Sequence, residues 1–298
     1  MAGLRRRYGA RGLTLLEVLI AIAILGLLIA IAYSAIVQGL RVQSSQEAAV
    51  STQARLRRIA EVFTQEMRSA VLGAVSDEPY ESNETAVSFT LLDGGAGYQV
   101  IAIDSGANAI EAVTGTPSSP WGAGDQMMVV DAGGTAAIFT LSSQSNLSGG
   151  VFRLSPQGGN CFSGMVAFDP DDAANRGALL FRVKTLGLRY DADSETLFMT
   201  EGDDDERPLA FDVRGLELSY VYREPDGTLH TFDEPLRVGG HPARNTTFGS
   251  AAVELARLQV RLEGTGRAVT GEVARNYVAQ VELGSNQTFI IKAVSSCS

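Results

Sequence analysis

Residues 11–40 read RGLTLLEVLIAIAILGLLIAIAYSAIVQGL, and this stretch decides the first part of the fold. No charged side chain occurs from Val18 to Leu40. At about 1.5 Å per residue, a helix over this run is roughly 35 Å long, which exceeds the ~30 Å hydrocarbon core of a bilayer. The preceding residues 1–12 are short and basic, with Arg5, Arg6, Arg7 and Arg11. The positive-inside rule therefore keeps them in the cytoplasm and places the chain after the span on the other side.

One acidic side chain, Glu17, stands at the edge of the apolar run. A carboxylate within a membrane span is costly, so it is a functional hypothesis by default. If a peptidase cuts after Gly12, the new amine of Leu13 lies four residues before Glu17. That amine, from the same chain or from a neighbour, could pair with the carboxylate inside the lipid. Glycine at the cut suits a narrow peptidase cleft because it has no side chain to exclude.

The segment Arg11-Gly12-Leu13-Thr14-Leu15-Leu16-Glu17 closely resembles the prepilin motif of type IV pilins and type II secretion pseudopilins. The resemblance implies cleavage by prepilin peptidase between Gly12 and Leu13, and N-methylation of the new amine. It also implies that Glu17 sets the register of the subunit during assembly. The family usually has Phe where this chain has Leu13, a mild departure. The motif covers little of the chain, but leader, glycine, glutamate and apolar run all coincide.

Two other readings of the N-terminus compete. A Sec signal peptide could be cut at Ala30-Ile31-Ala32, which offers a small-residue site. The apolar run is longer than the usual ~7–15 residues of such a signal, and it carries Glu17. An ordinary single-pass anchor is the second reading, and it gives Glu17 no purpose.

Residues 41–76 are predicted to continue the helix as an amphipathic stalk. Apolar residues recur there at steps of three and four: Leu56, Ile59, Ala60, Phe63, Met67, Ala70 and Val71. We expect one helix from about Thr14 to Ala74, roughly 90 Å long. Its second half would pack against the remainder of the chain. The predicted segments are a cleaved leader (1–12), a transmembrane helix (13–40), the stalk (41–76) and a β-rich globular domain (77–298).

The body after Pro79 reads as short alternating segments typical of strands. We predict strands at 87–91, 126–130, 137–141, 179–183, 216–222, 258–262 and 289–294. Two hairpins are predicted, one turning at Asp191–Ser194 and one at Pro225-Asp226-Gly227. No helix longer than two turns is evident after residue 80. The expected fold class is therefore α+β and pilin-like, with a long N-terminal helix packed on an antiparallel β-sheet.

A second, weaker resemblance covers about 80 residues of the body. The order of segments from Leu188-Arg189-Tyr190 through 213–220 to 256–262 is similar to that in large W-type minor pilins and J-type minor pseudopilins. Its positions are mostly core or turn residues, so it is less specific than the N-terminus. Residues 95–175 have no counterpart in that pattern, and we expect them to form an elaboration, such as a second β subdomain.

Charge is divided unevenly along the chain. Residues 1–76 hold nine Arg against four Glu, whereas residues 77–298 hold fifteen Lys or Arg against thirty Asp or Glu. An acidic body repels phosphate backbones, so no direct nucleic-acid binding is expected.

Two cysteines, Cys161 and Cys297, are a candidate disulfide if the body is exported; two unpaired thiols are the alternative. With His230 and His241 they do not make a convincing zinc site. The acidic loops 169–172 and 203–206 lack the spacing of a Ca²⁺ loop, so we expect no cofactor, with calcium as the alternative.

No nucleotide-binding or hydrolase motif occurs, so we expect no enzyme. The leading hypothesis is a minor pilin or pseudopilin that supports pilus biogenesis, secretion or DNA uptake. Its expected partners are prepilin peptidase, other major and minor pilins or pseudopilins, and the bacterial inner membrane. The expected location is that membrane, with the body outside the cytoplasm, and then a pilus or pseudopilus. The alternatives are a membrane-anchored binding module, either an adhesin or a DNA-uptake subunit, and a secreted enzyme.

Overall fold

A computed structural model describes residues 15–68, 70–94, 97–168, 177–202, 204–283 and 293–297. The chain divides into two compact units, which are taken separately below. The first comprises Met1–Ser51 with Gly266–Val273, and the second comprises Thr52–Thr265 with Ala274–Ser298.

A single helix, α1, runs from Leu15 to Arg68 over 54 residues. Its side chains are exposed without interruption from Leu15 to Ile36. The first buried positions are Ala48 and Ala49, still within the first unit. The helix is continuous because residues 15–68 contain no proline, and Gly26 and Gly39 cost only about 1 kcal/mol each relative to alanine.

The predicted helix was too long at its C-terminal end. α1 ends at Arg68, and Ala70–Ser76 form strand β1 instead of the last helical turns. The segment AVLGAVS is apolar enough to fit the spacing of a helix or of a strand, and Gly73 weakens a helix. The segment forms a strand because it pairs with β2, where Val75 lies opposite Phe89 and Ser76 lies opposite Ser88.

The remaining strands fill most of the described chain. In the first half of the body they are β2 (Ala86–Leu92), β3 (Tyr98–Asp104), β4 (Ala109–Val113), β5 (Gln126–Val130), β6 (Thr135–Ser148) and β7 (Val151–Pro156). The next group is β8 (Ala178–Asp191), β9 (Thr196–Glu201), β10 (Arg207–Ala210), β11 (Val213–Arg223), β12 (Leu229–Phe232) and β13 (Arg237–Val238). The last are β14 (His241–Pro242), β15 (Asn245–Phe248), β16 (Ala251–Ala268), β17 (Gly271–Glu282) and β18 (Ala293–Cys297).

The main core of the second unit forms where the C-terminal half of α1 packs on two sheets. Leu56, Phe63 and Met67 on the helix are at most 3% exposed. One sheet contributes residues of β1, β2, β8 and β9 to this core, and the other contributes residues of β11 and β16. The helix is therefore held by apolar side chains from both sheets, as the stripe at three- and four-residue spacing predicts.

A closed antiparallel barrel forms the other part of the body. β8 pairs with β3, β3 with β4, β4 with β7, β7 with β6, β6 with β5, and β5 returns to β8. Its interior is filled by aromatic and aliphatic side chains, including Trp121, Phe139, Phe152 and Phe162. Strand β8 is long enough to serve both parts, because its first half belongs to the barrel and its second half pairs with β2 and β9.

The expected fold class is confirmed: one long N-terminal helix with mostly antiparallel sheets, the pilin-like α+β arrangement. Both predicted hairpins are present as β8–β9 and β11–β12. One pair departs from the antiparallel expectation, because β18 runs parallel to β6. The predicted strand 289–294 lies partly outside the described residues, and β18 begins at Ala293.

Candidate functional site

The acidic residue of the N-terminal motif, Glu17, lies in the first turn of α1. Gly12 and Leu13, the predicted cleavage residues, lie outside the described residues. A carboxylate in the first helical turn interacts favourably with the positive end of the helix dipole. The helix therefore supports a negative charge at this position, in addition to any pairing with the amine of Leu13.

The surface of α1 that follows Glu17 is apolar on all sides. An 18-residue window has a mean hydropathy of 2.9 and none of it is buried. Leu15 is 81% exposed and Tyr33 is 69% exposed. A helix that is apolar all round needs an apolar environment, either lipid or other helices. By length and composition this helix is able to cross a membrane, and its exposure distinguishes it from the core helix of a soluble protein.

The second half of α1 is fixed to the body by a guanidinium as well as by apolar packing. Arg55 donates from Nη2 to the main-chain oxygens of Asp212 at 3.1 Å and Thr265 at 3.0 Å. Its Nη1 reaches the Asp212 carboxylate at 3.4 Å. Asp212 has a φ of 55°, which turns the chain tightly between β10 and β11. One helical side chain thus ties α1 to the turn before β11 and to strand β16.

The sequence pattern gives Arg55 no role, because Arg55 is one of several charged residues that lie off the apolar stripe of the helix. What distinguishes Arg55 is its position in the sequence. Arg55 immediately precedes Leu56, which is fully buried. A charged side chain beside a buried position can reach main-chain carbonyls at the edge of the core, although the sequence does not say which carbonyls are near.

The two cysteines, far apart in sequence, are neighbours in the fold. The pairing of β18 with β6 places Cys297 opposite Phe139, whose ring packs on Phe162, the residue after Cys161. Cys161 is buried within the barrel core, and Cys297 packs against the same cluster. Burial raises the pKa of both thiols above the ordinary range, so both sulfurs hold their protons. The structure contains the pair as free thiols.

One of the two acidic loops and one of the two histidines make ordinary ion-pair contacts. Residues 169–172 lie outside the described residues. In the other loop, Glu206 accepts two hydrogen bonds of 3.0 Å from Arg189. His230 contacts Glu224 at 2.6 Å across the β11–β12 turn, and His241 begins the short strand β14. Among the residues that the structure describes, no three His, Cys, Asp or Glu side chains converge as a metal site.

A groove of about 760 Å³ lies between the last turns of α1 and strand β17. Glu61, Thr64 and Arg68 line the helical side, and Tyr277 and Gln280 line the strand side. These groups can hydrogen-bond to a partner surface. Glu17 and the exposed apolar helix remain the features on which the functional interpretation rests.

Comparison with known proteins supports this emphasis on the N-terminus. A family profile described as "Prokaryotic N-terminal methylation motif" matches residues 7–33. No curated protein sequence matches the chain. Among solved structures, a DUF4785 family protein from Legionella pneumophila is similar at 10% identity with a TM-score of 0.11, covering 69% of each chain. Such a low score carries no argument about fold or function.

The matched profile covers Gly12, Leu13, Glu17 and most of the exposed apolar helix. The chain therefore carries a prepilin-type N-terminal motif, which implies processing by prepilin peptidase. It also suggests a membrane-anchored, pilin-like subunit of a type IV pilus or type II secretion system. Pilin-like proteins are generally not enzymes.

Proposed function

We propose that this chain is a minor pilin or pseudopilin. Prepilin peptidase cleaves it between Gly12 and Leu13, the amine of Leu13 is methylated, and the subunit enters a pilus or pseudopilus at low copy. Before assembly it spans the inner membrane once, with the body on the extracytoplasmic side. It supports pilus biogenesis, secretion or DNA uptake as a structural component.

A single observation carries this proposal: the prepilin-type motif opens a helix that is continuous from Leu15 to Arg68. The first part of that helix is apolar and exposed, whereas its last part is the spine of a folded body. A removable signal sequence does not continue into the core of the folded domain, whereas α1 contributes Leu56, Phe63 and Met67 to that core.

The size of the body supports a minor subunit. It contains a barrel in addition to the sheets that hold α1, and a major pilin body is normally much smaller. The segment from Leu188 to Leu262, similar in order to W-type and J-type minor subunits, falls within the sheets that pack on α1. The barrel, most of which lies between residues 98 and 191, is the part that distinguishes this subunit.

Glu17 is proposed to pair with the methylated amine of a neighbouring subunit. In lipid, two opposite charges attract strongly, and an unpaired carboxylate is costly. A subunit whose Glu17 faces a neighbour's amine is therefore favoured over any other axial register. This pairing would set the register without any contact between the bodies.

The deciding experiment is intact-mass and N-terminal peptide analysis of the full chain purified from membranes of cells that contain a prepilin peptidase. We expect a mature chain that begins at N-methylated Leu13. A start at Tyr33 would instead support a Sec signal and a secreted protein, and would refute the proposal.

Glu17→Ala tests the assembly role, and Glu47→Ala is its matched control on the same helix. We expect Glu17→Ala to be cleaved normally but to co-purify poorly with the other pilins or pseudopilins. Glu47 is exposed and accepts a hydrogen bond from Gln43 at 2.9 Å, so its loss should leave recruitment unchanged. Normal recruitment of the Glu17→Ala chain would refute the assigned role.

The alternative function is a binding module carried on the same anchor. An adhesin needs only an exposed body, whereas a DNA-uptake subunit needs a local basic surface on an otherwise acidic domain. Binding of duplex DNA to the full chain in detergent, weakening steeply between low and moderate salt, would favour the DNA-uptake alternative.

A further inference from the structure

We propose that Cys161 and Cys297 form an intramolecular disulfide during maturation, and that this bond fixes strand β18 to the loop that fills one part of the barrel core. The inference rests on the proposed function only in that the body must leave the reducing cytoplasm. It goes beyond that function because it assigns a covalent modification that cleavage and methylation do not require.

Strand pairing brings the two cysteines together. β18 lies parallel to β6, in a register that places Cys297 beside Phe139. Phe139 packs edge-to-face on Phe162, with ring centroids 5.2 Å apart. Phe162 is the residue next to Cys161, so the β6 aromatic ring positions both cysteine-bearing segments. Both cysteines belong to the hydrophobic cluster of the barrel core, Cys161 as a buried member and Cys297 packed against it.

The loop that carries Cys161 is held in place before any bond forms. The main-chain N–H of Cys161 donates to Asn108 Oδ1 at 2.9 Å. Asn108 Nδ2 in turn donates to the carbonyl of Gly158 at 3.1 Å. Phe162 is fully buried, which anchors the loop on the other side of the cysteine. The backbone on this side is therefore ordered independently of the bond.

The partner strand is the element that gains from the bond. β18 is a short strand of five residues, Ala293–Cys297, that pairs with β6. A strand of this length makes few ladder hydrogen bonds, so a covalent link adds to a small number of contacts. A bridge from Cys297 back to Cys161 closes a loop of nearly half the chain, and long loops lose most entropy in the unfolded state when they are cross-linked.

The covalent step balances as a thiol–disulfide exchange with an extracytoplasmic protein oxidant that carries its own disulfide. One cysteine thiolate attacks a sulfur of that disulfide, giving a mixed disulfide and releasing one oxidant thiolate. The second cysteine then attacks the mixed disulfide and releases the other. Two S–H bonds are lost, one S–S bond forms, and the oxidant leaves as a dithiol carrying the two electrons and two protons.

Burial determines when the exchange occurs. In the folded chain both thiols are shielded and hold their protons, so they are poor nucleophiles. The reaction is therefore fastest while β18 is still docking, and the same burial protects the finished bond from reductants. We expect Cys297, the less buried of the two, to be the residue joined to the oxidant in the mixed disulfide.

The test is thiol trapping of the full chain in membranes, because the sequence contains only two cysteines. Cells are quenched in acid, the chain is unfolded in a thiol-alkylating reagent, and the intact mass is measured with and without prior reduction. We expect no alkylation without reductant and two alkylations after it, together with a peptide that links Cys161 to Cys297. Two alkylated thiols without reduction, or a bridge between two chains, would overturn the proposal.

A variant without cysteines distinguishes the effect of the disulfide on stability from the effect of removing the two side chains. Cys161→Ala/Cys297→Ala removes both thiols without leaving a reactive one, and it is compared with the wild-type chain with and without a reductant. We expect reductant to lower the melting temperature of the wild-type chain in detergent by roughly 5 to 15 °C and to leave the double variant unchanged. An equal effect of reductant on both chains would contradict the bond.

A failed disulfide and a failed subunit assignment give different results in the same sample. The mass of the N-terminal peptide reports cleavage at Leu13, whereas the alkylation count reports the bond. Methylated Leu13 with two free thiols overturns the disulfide alone. An unprocessed N-terminus with an intact bond overturns the subunit assignment alone.

Discussion

Arg55 on α1 donates a hydrogen bond of 3.1 Å to the main-chain carbonyl of Asp212, the residue that turns the chain between β10 and β11. The same guanidinium reaches the carbonyl of Thr265 on β16 at 3.0 Å. One residue of the helix therefore binds a carbonyl in the turn before β11 and a carbonyl within β16. This geometry links α1 to two neighbouring strands of the same sheet.

Arg55→Ala should destabilise the body. It leaves two main-chain oxygens without a charged donor, which costs about 1–3 kcal/mol. Thermal unfolding of the full chain in detergent, followed by circular dichroism, measures the effect. Arg57→Ala is the matched control, because Arg57 is exposed and pairs with Glu61 one turn along the same helix. Equal melting temperatures for the two variants would show that the Arg55 contacts contribute nothing.

Tyr222→Phe should lower stability more than Tyr220→Phe, although both tyrosines are fully buried. The Tyr222 hydroxyl donates to the carbonyl of Ala243 at 2.7 Å and accepts from the N–H of Leu236 at 3.0 Å. Its loss leaves two buried main-chain groups unpaired, at about 1–3 kcal/mol. The Tyr220 hydroxyl donates to the main-chain carbonyl of Asn83, at the longer distance of 3.1 Å. A larger loss for Tyr220→Phe would contradict this account.

Gly187→Ala should be poorly tolerated within β8. A methyl group there would lie 2.5 Å from Cγ of Pro79 and 2.7 Å from the Tyr80 ring, so these rings must move. Overpacking of this kind costs about 1–3 kcal/mol. Gly122→Ala is the control, since no atom lies within 4 Å of its added methyl. The melting temperature of Gly187→Ala should lie clearly below that of Gly122→Ala. Equal melting temperatures would contradict the prediction, because they would mean that Pro79 and Tyr80 move aside at no cost.

Glu201 should make stability depend on acidity. Its hydrogen bond to Lys184 holds the pKa of the carboxyl below the ordinary range, and Arg207 approaches the other oxygen at 3.2 Å. The pKa of Glu201 is lower in the folded chain than in the unfolded chain. The stabilisation is therefore fully present at a pH above the pKa of the unfolded chain, and it is lost as the pH falls through the pKa of the folded chain. The group is partly exposed, so solvent screens the contribution.

The measurement is the melting temperature of wild type and Glu201→Gln from about pH 6 to pH 3. We expect the wild-type chain to melt at a higher temperature than Glu201→Gln near pH 6, and we expect this difference to shrink as the pH falls. Glu217→Gln, which removes a carboxylate facing Arg261 on the exposed face, controls for the change in net charge. An advantage that does not vary with pH would exclude a titrating Glu201.

Local patterns were sufficient to predict many strands. Alternation predicted 87–91 and 126–130, which lie within β2 and match β5. Turn residues predicted the β11–β12 hairpin, where Thr228 N–H bonds to the Asp226 carboxylate at 2.9 Å. Such signals are visible because the residues that determine the turn are adjacent in the chain.

Other strands had no local signal. β17 is largely exposed, so its side chains lack the apolar alternation of a half-buried strand. The second half of β6, from Ser142 to Ser148, is exposed and rich in serine, and it is a strand because it pairs with β7. Closure of the barrel depends on β5 meeting β8, about fifty residues later in the chain. No window of sequence contains both partners of such a pair.

Neighbouring residues alone specify the N-terminal helix, its apolar surface and the motif around Gly12 and Glu17, because each depends on local spacing and on transfer from water to lipid. Three features appear only in the folded chain: the helix ends at Arg68, Arg55 binds carbonyls near β11 and β16, and Cys161 and Cys297 share one core cluster. Those three outcomes arise from long-range strand pairing and packing, whose energies depend on residues brought together only when the chain folds.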